Sequence, residues 1–209
     1  MMTVAELVTA LGDQQYTILP AARLRALHDL AESVAHIPGA LVECGCYHGG
    51  SATILAHGLG PQHPAWLFDS FLGLPEPGPQ DGDRALYGWL ARRAAGTPRY
   101  IGSVDRPAAA FHLAGWTGEL HVIPGWFADT VPAATIGPLA LLHIDADWYA
   151  SVKVCLQHFY PLLVAGGLLI LDDFGYWPGC QQAVADTLPA VAQHVTFIDN
   201  TSVYYRKAI

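Results

Sequence analysis

PLALLHIDADWYASVKVCLQHFYPLLVAGGLLILDDF, residues 138–174, is the stretch whose reading decides the fold. Two apolar runs, 138–147 and 167–174, read as strands, and each carries a pair of aspartates at its end. The segment from Tyr149 to Leu163 between them reads as a helix. Strands that are apolar throughout and joined by a helix pair in parallel and are covered on both faces. The same alternation extends upstream. ALVECG at 40–45 is a short buried strand stopped by glycine, and GGSATILAHGLG turns into a helix with Ser51 in its first turn. WLFDS at 66–70 and ELHVIPG at 119–125 add two strands. Residues 20–36 form a helix with Leu24, Leu27, Leu30 and Ala31 at helical spacing, ended by Pro38–Gly39. Downstream, 179–190 is helical, and HVTFIDNTSVYYRK holds two alternating runs around Asp199–Asn200, a hairpin that would insert one antiparallel strand. The expected fold is α/β: a doubly wound, Rossmann-like, mostly parallel sheet with helices on both faces.

The 209 residues suit one domain spanning 1–209, with an N-terminal helical segment over 1–38. Apolar residues make up 52% of the chain and charged residues 13%, a balance that excludes disorder. Eighteen acidic against ten basic side chains give a net charge of −8, and no basic patch is visible, so a nucleic-acid partner is not expected. The longest uncharged stretches are broken by Gly, Gln, His or Pro, which argues against a membrane partner. MMTVAELVTALGDQQ has neither a cationic start nor a small-residue cleavage site, and the four cysteines are scattered; a cytoplasmic location with reduced thiols is the expectation. One long irregular stretch, 73–99, concentrates Pro, Gly and charge and leaves room for one short helix. A segment of that length is expected to act as a lid or acceptor loop.

In such a sheet ligands sit beyond the carboxyl ends of the strands. The first strand delivers Glu43, Gly45, Tyr47, Gly49 and Ser51 in a loop that opens a helix. Its G-x-x-x-G-G spacing, preceded by an acid, departs from the dinucleotide fingerprint and favours a cationic ligand group. Asp69 ends the second strand, where a carboxylate can accept from ribose hydroxyls. Together these features suggest S-adenosylmethionine. Asp145 and Asp147 end one strand of the 138–174 unit and Asp172 and Asp173 the other, so four carboxylates meet in one region. They would repel one another without protons or a cation. An all-oxygen set fits a hard ion such as Mg²⁺. An alternative reading takes Asp145-Ala-Asp147 as the D-x-D of a metal-dependent glycosyltransferase.

VECG–GGS at 42–51, DSFLGLPEP at 69–77, PGWFADTVP at 124–132, HIDADWYAS at 143–151 and GG–LILDDFGYWPGCQQAV at 166–184 resemble the macrocin O-methyltransferase family. The resemblance runs from about Tyr16 to Asp186. It implies an S-adenosylmethionine- and Mg²⁺-dependent enzyme of natural-product and antibiotic biosynthesis, methylating a sugar hydroxyl of a small-molecule secondary metabolite. It assigns Asp145, Asp172 and Asp173 as Mg²⁺ ligands and Asp147 as the general base. Glu43, Gly45 and Gly49, with Tyr47 and Ser51, would line the methionine side of the cofactor. Asp69 and Ser70 would meet the ribose, and Gly125, Trp126 and Phe127 the adenine, with Asp145 also at the cofactor. A vicinal oxygen would chelate the metal, which keeps a catechol acceptor as a rival to a sugar. A homodimer is expected on the resemblance alone.

Overall fold

The computed structural model describes residues 2–208; Met1 and Ile209, the ends of the expected domain, lie outside the described residues. Among the described residues seven strands form one sheet: β1 (Ala40–Cys44), β2 (Ala65–Asp69), β3 (Leu120–Pro124), β4 (Leu139–Ile144), β5 (Leu163–Leu171), β6 (Thr196–Phe197) and β7 (Val203–Arg206). Their order is β3-β2-β1-β4-β5-β7-β6. The first five are parallel; β7 runs antiparallel between β5 and the two-residue edge strand β6. The hairpin therefore inserts one strand, as the alternation around Asp199–Asn200 predicts. The helices are α1 (Val4–Asp13), α2 (Ala21–Glu32), α3 (Gly50–Leu59), α4 (Gly82–Ala94), α5 (Asp105–Leu113), α6 (Phe127–Ala133), α7 (Tyr149–Phe159), α8 (Pro178–Thr187) and α9 (Pro189–Ala192).

Alternation along each strand divides the core in two. Leu41, Leu67, Leu141, Leu168 and Ile170 pack with α1, α2, α3 and α5. Val42, Phe68, Leu142, Ile144, Leu169 and Leu171 pack with residues of α6, α7, α8 and α9 on the other face. All four cysteines are buried free thiols. Burial pushes Cys44, Cys46 and Cys180 well above the ordinary thiol range, so they serve as small apolar residues.

Three expectations need correction. The stretch 73–99 is not mostly irregular: it holds a short 3₁₀ turn at Pro79–Asp81 and the thirteen-residue α4. Only Ala85 of α4 is buried, so the helix writes almost no apolar stripe into the sequence. α5 and α6 also escaped the sequence reading, and the helix expected over 179–190 is broken before Pro189 into α8 and α9. Finally, the helix after β4 stops at Phe159, followed by a 3₁₀ turn at Tyr160–Leu162, and β5 starts at Leu163 rather than at 167.

The strand order reverses between β1 and β4, which opens a crevice at their carboxyl ends. Backbone hydrogen bonds continue the sheet past its strands there: Gly45 N–H donates to Phe68 O at 2.8 Å, Asp145 N–H to Cys44 O at 2.8 Å and Asp172 N–H to Ile144 O at 3.0 Å. The residues beyond these ends inherit the rigidity of the sheet.

Candidate functional site: two cavities meeting at a carboxylate cluster

Gly45 follows β1 with φ +94°, and a Cβ there would collide with the Asp145 carbonyl oxygen. At Gly49 (φ +85°) the clash would be with Pro107. Both glycines are dictated by close chain crossings rather than by room for a ligand. Glu43 stands away from the crevice. It is fully buried and its Oε1 lies 2.7 Å from Nδ1 of His143, its register neighbour on β4. Its parity with Leu41 turns it toward the α1–α3 face.

A cavity of about 440 Å³ occupies the crevice. Gly45, Tyr47, Ser51, Asp69, Ser70, Trp126, Phe127 and the four aspartates that follow β4 and β5 line it; Glu43, Gly49 and Gly125 do not. Asp69 is fixed by two backbone donors, Tyr47 N–H to Oδ2 at 2.7 Å and Phe71 N–H to Oδ1 at 2.8 Å. Burial pushes its pKa up, and those two hydrogen bonds work against the rise. Each carboxylate oxygen keeps an unused lone pair for a ligand hydroxyl.

Asp145, Asp147 and Asp173 bring carboxylate oxygens within 4.8 Å of one another. The third member is Asp147, not Asp172. Asp147 sits just past the strand with φ +53°, a left-handed conformation that swings it toward Asp173, and its N–H donates to Asp173 Oδ2 at 3.1 Å. The indole of Trp177 donates to Asp147 Oδ1 at 2.9 Å. Asp172 is ion-paired with Arg23 of α2, and Arg23 also grips Asp199 and Thr201 in the β6–β7 turn. Burial, then repulsion among the aspartates, holds Asp145 and Asp173 well above the usual carboxylate range. Burial likewise raises Asp147 to about 7, with the Trp177 hydrogen bond opposing it. An all-oxygen, mutually repelling set in a half-buried crevice fits a hard divalent cation.

A second cavity, of about 930 Å³, lies under the 72–101 segment. Its wall is shared with the first through Leu74, Pro75, Glu76, Tyr100, Trp126, Asp147, Trp148 and Asp173. Two indoles clamp that wall: Trp148 Nε1 donates to Pro75 O at 2.9 Å and Trp89 Nε1 to Leu74 O at 3.1 Å. Asp81, almost fully buried, accepts from the N–H groups of Gly78 and Tyr149 at 2.7 Å each, tying the segment to the open first turn of α7. Tyr47, Tyr100 and Asp147 line these cavities and Phe71 flanks them. All four are non-glycine residues with positive φ, a strain that accumulates at sites whose geometry is held from outside.

Sequence reasoning missed Arg23 and Asp81. Arg23 left a signal, since it falls in phase with Leu27 and Ala31 on the buried stripe of α2, where an unpaired cation would be costly. For Asp81 the sequence carries no comparable sign.

Comparison with known proteins identifies the family. The family profile for Macrocin-O-methyltransferase (TylF) matches residues 9–207. The chain is 33% identical over 203 residues to demethyldecarbamoylnovobiocin O-methyltransferase of Streptomyces niveus, covering 92% of this chain and 76% of that protein. It is 31% identical over 206 residues to mycinamicin III 3''-O-methyltransferase of Micromonospora griseorubida, covering 92% and 79%. The solved structure of the O-methyltransferase NovP superposes with a TM-score of 0.79 at 29% identity, covering 93% of this chain and 83% of that one. The D-x-D glycosyltransferase reading falls with these matches. A doubly wound sheet with a carboxylate cluster beyond the ends of β4 and β5, matched along nearly its whole length, is an O-methyltransferase, and the chain belongs to the macrocin O-methyltransferase family.

Proposed function

We propose that the chain transfers the methyl group of S-adenosylmethionine to a sugar hydroxyl in natural-product biosynthesis, assisted by a divalent cation such as Mg²⁺. The observation that carries this reading is the shared wall: Asp147 and Asp173 face both cavities at once. A donor in the smaller cavity and an acceptor in the larger one would meet at these carboxylates.

The smaller cavity suits the donor's three parts. Asp69 offers acceptors to ribose, Trp126 and Phe127 present aromatic surface to adenine, and the carboxylates attract the sulfonium. Asp145 and Asp173 would hold the cation, with Asp147 or Asp172 as a further ligand. A cation bound there acidifies an alcohol much as metals acidify water. Asp147 takes the proton from the attacking hydroxyl at the carboxylate oxygen that Trp177 leaves free. Trp148 and the clamped 74–76 strip keep water from the junction, and α4 with its flanks serves as the acceptor lid. In the displacement a C–S bond breaks as an O–C bond forms, and the proton passes to Asp147. Opposite charges fade together, so no oxyanion hole is required.

The test is calorimetric titration with S-adenosylhomocysteine, with and without Mg²⁺, followed by methyl-transfer assays on sugars and catechols. One-site S-adenosylhomocysteine binding with Mg²⁺-dependent transfer to a sugar supports the reading. Transfer to catechols alone overturns the sugar, and undiminished turnover in chelator overturns the metal.

A further inference from the structure

Arg84, Arg92, Arg93 and Arg99 all line the larger cavity. They are four of the ten Lys and Arg side chains in a protein of net charge −8. Among the described residues none of the four has a carboxylate within ion-pairing distance; the Lys/Arg ion pairs found all belong to Arg23. Three of them rest on aromatic rings instead. The Arg84 guanidinium lies 4.4 Å from the Tyr176 ring centroid and spends one N–H on the Tyr176 hydroxyl; that of Arg93 lies 5.0 Å from Trp89 and that of Arg99 5.9 Å from Tyr100. Stacking of this kind orients a guanidinium while leaving much of its N–H edge free to donate.

The cavity is thus polar in a directed sense, with carboxylates at the junction and unpaired guanidinium groups along α4 and the strand of chain after it. A neutral acceptor would leave those groups to solvent alone. A single carboxylate would be saturated by one bidentate arginine, whereas a diphosphate has charge and oxygens enough to engage several. A volume of about 930 Å³ also exceeds the need of one sugar ring, and the partly exposed indoles of Trp89 and Trp177 offer apolar surface for a base.

We propose that the acceptor is a nucleoside diphosphate sugar, its diphosphate docked by Arg84, Arg92, Arg93 and Arg99 while the sugar reaches Asp147 and Asp173. The proposal rests on the reading of those carboxylates as the point of methyl transfer. It places methylation before the glycosyl transfer that consumes the activated sugar.

The test uses the full chain with Mg²⁺, titrated first with S-adenosylhomocysteine and then, once saturated, with dTDP, dTDP-glucose, methyl glucoside and methyl glucuronide. Wild type is compared with Arg92→Gln/Arg93→Gln and Arg84→Gln/Arg99→Gln. The expected result is dTDP and dTDP-glucose binding that weakens with ionic strength and falls at least about tenfold in each double variant, with S-adenosylhomocysteine affinity unchanged. Failure of S-adenosylhomocysteine to bind a folded sample would sink the methyltransferase reading itself. If it binds but the nucleotides do not, or bind the variants equally, the diphosphate site is overturned. Arginine-dependent binding of methyl glucuronide but not dTDP would replace the diphosphate by a carboxylate.

Discussion

Across the larger cavity the ends of β4 and β5 face the 72–101 segment, and the two are held in opposite ways. Asp145 and Asp172 are stitched into the sheet by backbone hydrogen bonds, and Asp147 is held by the Asp173 carboxylate and the Trp177 indole. The facing segment presents α4, with one buried side chain, tethered by Asp81 and two indole hydrogen bonds. On the proposed function, the chemistry would be built on the rigid side and acceptor selection on the side with little core of its own. Such a division lets one reaction frame accept different substrates as its loops vary.

The largest effect should come from the rigid side. Asp173→Asn removes a member of the carboxylate cluster and should lower turnover by about 10³-fold, since it disturbs both cation and proton acceptor. Stability should hold or rise, because one of three crowded carboxylates is gone. Thermal melts beside steady-state assays decide this. A variant that melts early and is inactive only for that reason would erase the distinction between frame and chemistry.

Arg23 comes next. Arg23→Met strands Asp172 in a buried site and frees the β6–β7 turn, and should cost about 3 kcal/mol in urea unfolding at neutral pH. A pH series adds the sign. Burial would raise Asp199, but its hydrogen bonds from Arg23, Thr201 and Ser202 outweigh that and hold it at about 2. A folded pKa below the unfolded value, about 3.9, gives stability that is complete above that value and lost as pH falls toward about 2. The gap between wild type and Arg23→Met should therefore begin to narrow below about pH 4. Asp199 is 38% exposed, so its share stays under about 1 kcal/mol. A gap that widened on acidification would show that Asp199 gains nothing from the pairing.

These predictions track what the sequence could disclose. Strand ends were legible because an apolar run that stops at an acid is a local pattern, and so the parallel strands and Asp145 with Asp173 could be read directly. Asp147 could be found but not oriented: parity with Asp145 holds only while the strand continues, and β4 ends at Ile144 before the chain turns at φ +53°. Glu43 shows the converse, since parity with Leu41 carries it into the core beside His143. α4 was hidden because a helix that buries one residue has no period to detect. The partners of Arg23 lie 149 and 176 residues away, a separation no local pattern encodes.

The third cation ligand gives a smaller contrast. If the clustering of Asp147 with Asp145 and Asp173 persists when the cation binds, Asp147→Asn should weaken Mg²⁺ binding about tenfold or more by calorimetry, and Asp172→Asn should do less. The reverse order would mean that Asp172 leaves Arg23 for the metal, returning Asp147 to proton transfer alone. Either ranking fixes the role of a residue that two arguments place differently.

The smallest effect belongs to the tethered side. Trp89→Phe keeps an aromatic face but deletes the hydrogen bond to Leu74 O, a loss of about 1 kcal/mol at most for a half-buried indole. The strip 74–76 then gains freedom without moving the carboxylates, so KM for the acceptor should rise about threefold while kcat holds. Trp148→Phe deletes the matching bond to Pro75 O, but Trp148 is 4% exposed and packs at the start of α7 beside Asp147. That variant should lower both kcat and melting temperature, because the loss falls on the frame. Equal kinetic profiles for the two variants would mean that lid and frame move as one body, and the separation of selection from chemistry would fail.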